Sequence, residues 1–204
     1  RDCELGEFIE MERGRRPLHG LRAAVREGRL ISGLLWEFDH KSCWEVLTDA
    51  AFARHFTPRQ RQLFRDHLPW TRLVRHGVTR DPEGRAVELP EYIRRHRAEL
   101  VLKPNTLYGG QGVLVGPSTA QAEWERTLEG ALREREPYVA QRLARIATHA
   151  FPVLEGGRPR MVSRRVVSGF FLTSTGIGLV GRFSDDPVVN VSRGGGLVAA
   201  FVVG

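Results

Sequence analysis

Apolar residues recur at helical spacing over residues 17–30, where Leu18, Leu21, Ala24 and Val25 share a face and Gly28 marks the end. A second helical stretch follows Asp39 and sets Trp44, Leu47 and Phe52 on one side. Thr57-Pro58-Arg59-Gln60 reads as a capping box with proline at the first helical position, which predicts a third helix to about Asp66. Pro69, Gly77, the run Asp81-Pro82-Glu83-Gly84 and Pro90 interrupt residues 69–89, so a short strand and a turn are expected there. A brief helix is expected at 90–97.

The pattern then changes to short apolar runs. Leu100-Val101-Leu102 ends at Lys103-Pro104 and reads as a strand. The turn Tyr108-Gly109-Gly110-Gln111-Gly112 leads to a second strand, Val113-Leu114-Val115. Ser118 to Gln121 reads as another capping box, opening an amphipathic helix with Trp124, Leu128 and Leu132 four residues apart. Tyr138-Val139-Ala140 is a strand, and residues 159–182 read as two long strands broken near Thr173-Ser174-Thr175-Gly176. Val188-Val189 and Leu197 to Val203 are shorter strands separated by Gly194-Gly195-Gly196. Helices first and antiparallel strands after give an α+β fold. No internal repeat or low-complexity segment is visible.

Composition narrows the function classes. The 204 residues suffice for a real core, and 41 % apolar with 27 % charged residues is globular rather than disordered. No apolar run approaches the ~18 residues of a membrane span. Cys3 and Cys43 alone make neither a disulfide scaffold nor a four-cysteine zinc site. The chain starts at Arg1 without a methionine or an apolar leader, so a piece of a longer cytoplasmic protein is expected. The net charge of +7 comes from 29 arginines and only two lysines, Lys41 and Lys103. The basic clusters Arg13-Arg15-Arg16, Arg94-Arg95-Arg97, Arg133-Arg135 and Arg158-Arg160-Arg164-Arg165 are interleaved with Glu and lack interleaved aromatics. They read as solvated faces rather than a nucleic-acid groove, and a basic nucleic-acid-binding domain is kept as an alternative.

Two lysines among so many arginines single themselves out. An ammonium is a compact point charge on a flexible stem, suited to a nucleotide phosphate where a planar fork is not. Lys103 ends a strand just ahead of Gly109, Gly110, Gln111 and Gly112. Glycines let the backbone approach phosphates closely and turn N–H groups toward them. This is neither a Walker loop nor a dinucleotide fingerprint, because the lysine precedes the glycines and a strand follows them. A plain glycine hairpin makes the same demand for glycine.

Leu100-Val101-Leu102-Lys103-Pro104 with Gly109-Gly110-Gln111-Gly112 resembles the nucleotide-binding hairpin of the ATP-grasp superfamily. Pro137-Tyr138-Val139-Ala140-Gln141 resembles its hinge strand, which borders the adenine. Asp39-His40-Lys41-Ser42, with Leu47-Thr48-Asp49 beyond, resembles the lysine-bearing helix start of the circularly permuted group, which includes glutathionylspermidine-synthetase-like ligases. Gly178-Leu179-Val180-Gly181-Arg182 and the run from Val189 to Gly196 resemble that group's C-terminal strands. The resemblance covers most of the chain from about residue 18. The whole chain is then one ATP-grasp-like unit, with a small nucleotide-binding lobe at about 69–137, a larger lobe from 1–68 and 138–204, and the nucleotide cleft between them.

The resemblance implies an ATP- and Mg²⁺-dependent carboxylate–amine ligase. A carboxylate is activated as an acyl phosphate, and an amine attacks it to form an amide; catalysis is positioning and electrostatics. Lys41 and Lys103 would hold the phosphates, Gly109, Gly110, Gln111 and Gly112 would close over them, and Gln141 would border the adenine. Arg182 would face the transferred phosphoryl group, or form a salt bridge to Asp185 or Asp186. In the permuted group the main metal ligands lie N-terminal to the lysine helix, where only Asp2, Glu4 and Glu7 stand here and no Glu-x-Asn pair occurs. Either those ligands lie upstream, or Asp185, Asp186 and Asn190 substitute, or a nucleotide is bound without turnover. Asn190 beside Ser192 and the glycines also suits a plain turn. The acid and amine substrates, small molecules or peptides, have no motif. The seven histidines show no metal spacing, Cys43 beside Trp44 reads as core, and Ser32, Ser168 and Ser174 lack a nucleophile-elbow pattern.

Overall fold

The computed structural model describes residues 5–15, 17–29, 40–133 and 137–199. Asp39, Asp2, Glu4, Ser32, Cys3, Arg16, Arg135 and residues 200–203 of the last expected strand lie outside this set, as does the side chain of Glu7. In chain order the helices and strands are α1 (Leu5–Arg13), α2 (His19–Arg26), α3 (Cys43–Thr48), α4 (Pro58–His67), β1 (Thr71–Leu73), β2 (Val78–Arg80), β3 (Ala86–Glu88) and α5 (Leu89–Arg95). Then come β4 (Leu100–Pro104), β5 (Leu114–Val115), α6 (Gln121–Leu132), β6 (Tyr138–Arg142), β7 (Thr148–Glu155), β8 (Arg158–Thr173), β9 (Gly176–Ser184) and β10 (Gly196–Val198). The protein is α+β, with every described strand pair antiparallel.

One four-stranded sheet has the order β1-β6-β4-β5, a second the order β10-β9-β8-β7, and β2 pairs with β3 alone. The main core lies on one face of the first sheet. Leu100 and Leu102 of β4 and Ala140 of β6 point there and meet Tyr92 and Ile93 of α5 and Trp124 and Leu128 of α6. Trp124, Leu128, Ile93 and Leu102 have no exposed surface. A strand alternates its side chains, so Val101 and Lys103 of β4, Val139 and Gln141 of β6 and Thr71 of β1 share the opposite face. The sheet runs past the expected lobe boundary at 137: β6 sits at its centre, between β1 and β4.

Local chemistry explains where the elements differ from the expectation. The helix expected after residue 39 is two pieces, because Asp49 adopts extended angles (φ −98°, ψ 130°) and its carboxylate accepts the N–H of Ala51, starting a 3₁₀ turn at Ala50–His55. The break separates Trp44 and Leu47 on α3 from Phe52 on the turn, and Trp44 is exposed. The Thr57 capping box forms as read, with Gln60 answering the Thr57 amide. The second capping box does not form: α6 starts after Ala120 with no side-chain cap, and Ser118 belongs to a 3₁₀ turn. Strand β7 went unread, since His149, Ala150, Phe151 and Pro152 alternate poorly. Val188-Val189 is not a strand; residues 191–193 form a 3₁₀ turn instead.

Candidate functional site

Lys103 projects from the face of the first sheet opposite the core, and Lys41 lies near enough to act on its charge. Lys103 stands on β4 in register with Val139 of β6. Its ammonium donates to Oε1 of Gln141 at 2.6 Å, and Gln141 Nε2 donates to Thr71 Oγ1 at 2.8 Å. Thr71 Oγ1 in turn donates to the carbonyl of Pro69. This relay crosses three strands and fixes the Gln141 amide, which is buried rather than on the surface. Lys41 precedes α3, and its backbone N–H donates to the Asn105 carbonyl at 3.1 Å. Its ammonium donates to the carbonyls of Leu107 at 2.6 Å and Asn105 at 3.4 Å. The lysine turn is thus docked on the segment that leads from Lys103 into the glycines.

Several residues that the sequence reading missed hold this arrangement. Asn105 is buried, and its side-chain oxygen accepts the N–H of Ser42 at 2.8 Å. Glu45, on the first turn of α3, is also buried. Its carboxylate accepts the N–H of Leu73 on the open edge of β1 at 2.8 Å and forks the Arg75 guanidinium at 2.6 and 2.9 Å. Glu45 therefore pins α3, and with it Lys41, to the sheet edge. No local pattern marks these residues; only their partners 28 to 63 positions away define them.

The electrostatics follow from burial. Lys41 is held below the ordinary lysine range by desolvation, and Lys103 by desolvation and then by the charge of Lys41. Neither lysine makes an ion pair with a carboxylate among the described residues. An ammonium has three donors. Lys41 gives two to backbone carbonyls and Lys103 gives one to Gln141, which leaves donors on both for an anion. Two desolvated cations within electrostatic reach of each other, with no carboxylate partner among the described residues, favour a polyanion.

The glycine segment adjoins the pair and also meets the chain's C-terminal part. Gly109, Gly110 and Gly112 all have positive φ. At Gly112 (φ +64°) a Cβ would stand 2.6 Å from Cγ of Pro104 and 3.1 Å from the Tyr138 hydroxyl, so both backbone angle and space require glycine. The N–H groups of Gln111 and Val113 close on the Tyr108 and Gly110 carbonyls, so these two amides serve the turn. Arg193 donates to the Gly110 carbonyl at 3.2 Å, and a Cβ added at Gly110 would stand 3.0 Å from its Cδ.

The C-terminal candidates are placed differently. Arg182 is exposed on β9, in register with Val167 and Leu197, and the salt bridge considered for it is absent among the described residues. Asp185 instead pairs with Arg164 at 2.6 Å, and its carbonyl accepts from Arg165. Asp186 pairs with Arg193 at 3.4 Å and accepts the N–H of Val188 at 2.6 Å. Arg193, not Arg182, is the arginine that reaches the glycine segment. Among the described residues no group of three His, Cys, Asp or Glu could hold a metal ion. Among the described residues Asp185 and Asp186 are turned to separate arginines. Asn190 accepts the amides of Arg193 and Gly195 through its carbonyl, shaping the turn before the three glycines. No described helix is long and apolar enough to cross a membrane. No protein-family model matches this chain, and no curated protein matches it.

Proposed function

We propose that this chain binds the phosphates of a nucleotide between Lys41, Lys103 and the glycine segment, as an ATP-grasp-type ligase does. The observation that carries the reading is that the only two lysines lie within electrostatic reach of each other beside the glycine segment, both desolvated and both without a carboxylate partner among the described residues. Lys103 keeps a rigid position through the Gln141–Thr71 relay, so its charge is aimed before a ligand arrives. Gln141 stands beside that lysine as a polar group for the base or the phosphates, and Arg193 brings a third cation to the glycine turn. In such a ligase a carboxylate oxygen takes the γ-phosphoryl group of ATP as ADP leaves, and an amine then attacks the acyl phosphate to form an amide, releasing inorganic phosphate and a proton. In that reaction these residues orient the phosphates and offset their negative charge.

A second reading, nucleotide binding without turnover, is favoured by one observation: Asp185 and Asp186 are each committed to an arginine. Calorimetric titration with ATP, with and without Mg²⁺, tests the shared part. We expect saturable binding that the Lys41→Met/Lys103→Met variant loses. Lys103→Arg should weaken it about tenfold, on the order of 1.4 kcal/mol, because the larger fork does not fit the place beside Gln141. No binding, or unchanged binding in the double variant, overturns the proposal. Phosphate release with mixed acids and amines then separates the two readings.

A further inference from the structure

A cavity of about 570 Å³ opens at the β1 edge of the first sheet, between α3, α4 and the β2–β3 turn. Its apolar walls include Phe56, Phe64, Leu68 and Trp70. Arg72 forms the buried floor: it lies over the Trp70 ring at 5.0 Å, pairs with Asp49 at 3.3 Å and donates to Thr79. Thr71 and Arg72 are neighbours on one strand, so the cavity and the lysine pair lie on opposite faces of β1.

Four further guanidiniums line this space: Arg61, Arg65, Arg80 and Arg142. Only two carboxylates do, and both are engaged, Asp49 by Arg72 and Asp81 by Arg85 at 2.7 Å. None of the four arginines makes an ion pair among the described residues. The Arg80 side chain donates to the Gly84 carbonyl and that of Arg65 to Gln62, while the side chains of Arg61 and Arg142 make no hydrogen bond among the described residues. Other arginines of the fold do meet acids, as Arg94 with Glu125 and Glu129 and Arg75 with Glu45. Guanidinium forks match carboxylate and phosphate oxygens, and several of them around one hollow favour an anion there. Aromatic walls in a space of this size suit the body of a small organic molecule.

We infer that this cavity is a second binding site, for a small organic anion that carries a carboxylate or phosphate on an apolar, aromatic-sized body. It is separate from the lysine pair and does not depend on the nucleotide proposal. The four arginines hold the charged end at the mouth, and Phe56, Phe64 and Trp70 take the apolar body.

Calorimetry with 2-naphthoate and 1-naphthyl phosphate tests this, with the neutral 2-naphthamide as control. Binding of at least one anion tenfold or more tighter than the amide is expected, and the stronger of the two identifies the head group. Arg61→Gln/Arg142→Gln should weaken it tenfold or more at an unchanged melting temperature, since these side chains hold no structural bond. Equal binding of the amide, no binding of either anion, or full affinity in the double variant overturns the inference. Tighter competition by a ten-residue oligothymidine overturns it too, in favour of a nucleic-acid surface. ATP binding should be unaffected by Arg61→Gln/Arg142→Gln; its loss would show one shared site and refute the separation.

Discussion

Glu45→Ala tests whether the lysine turn is anchored as described. The substitution removes three hydrogen bonds to a buried carboxylate, one from the Leu73 amide and two from Arg75. Leu73 lies on the outer strand of its sheet, so its N–H loses its partner at a half-buried place, which costs ~2 kcal/mol. Arg75 is half-exposed and returns to water, so its share is ~1 kcal/mol. A loss of about 3 kcal/mol in a chain of this length lowers the melting temperature by roughly 6–12 °C. Calorimetric or circular-dichroism melting of the wild type and variant measures it directly. Glu45→Gln keeps an oxygen for the Leu73 amide and should recover about half of the loss. A fall below 2 °C in Glu45→Ala would refute the reasoning, because the edge amide would then be served by water. The same variant should bind ATP more weakly at temperatures where it is fully folded, since Lys41 is placed by the helix that Glu45 ties down.

Nucleotide affinity should fall with rising pH at a lower pH than an ordinary lysine of pKa 10.5 would give, because burial and Lys41 hold Lys103 below that value and only the ammonium attracts phosphate. Binding should accordingly take up protons at alkaline pH, which titrations in buffers of different ionisation enthalpy detect; buffer-independent heats there would contradict a desolvated lysine at the site. Gly112→Ala should lower stability by ~2 kcal/mol, since it combines a left-handed backbone with a Cβ at 2.6 Å from Pro104. Gly84→Ala, also at positive φ but with nothing within 4 Å, should cost only ~1 kcal/mol, and equal melting temperatures for the two variants would show that the Pro104 contact is not tight.

The sequence alone determined the elements whose cause is local. The Thr57 capping box, the apolar run of β4, the amphipathic face of α6 and the glycine turn all arise from neighbours a few positions apart, and all are found. The long strands of 158–184 were legible for the same reason. Lysine scarcity marked Lys41 and Lys103 before any geometry was known. Their closeness was a matter of tertiary structure, because it depends on Asn105 receiving Ser42 and on Glu45 capping the far edge of β1, contacts that no spacing announces. The place of β6 between β1 and β4 was likewise decided by pairing across 70 residues of chain. Asp185 and Asp186 are adjacent and acidic in the chain, and no spacing says which partner each takes. In three dimensions successive residues leave the backbone in different directions, and each carboxylate found a different arginine.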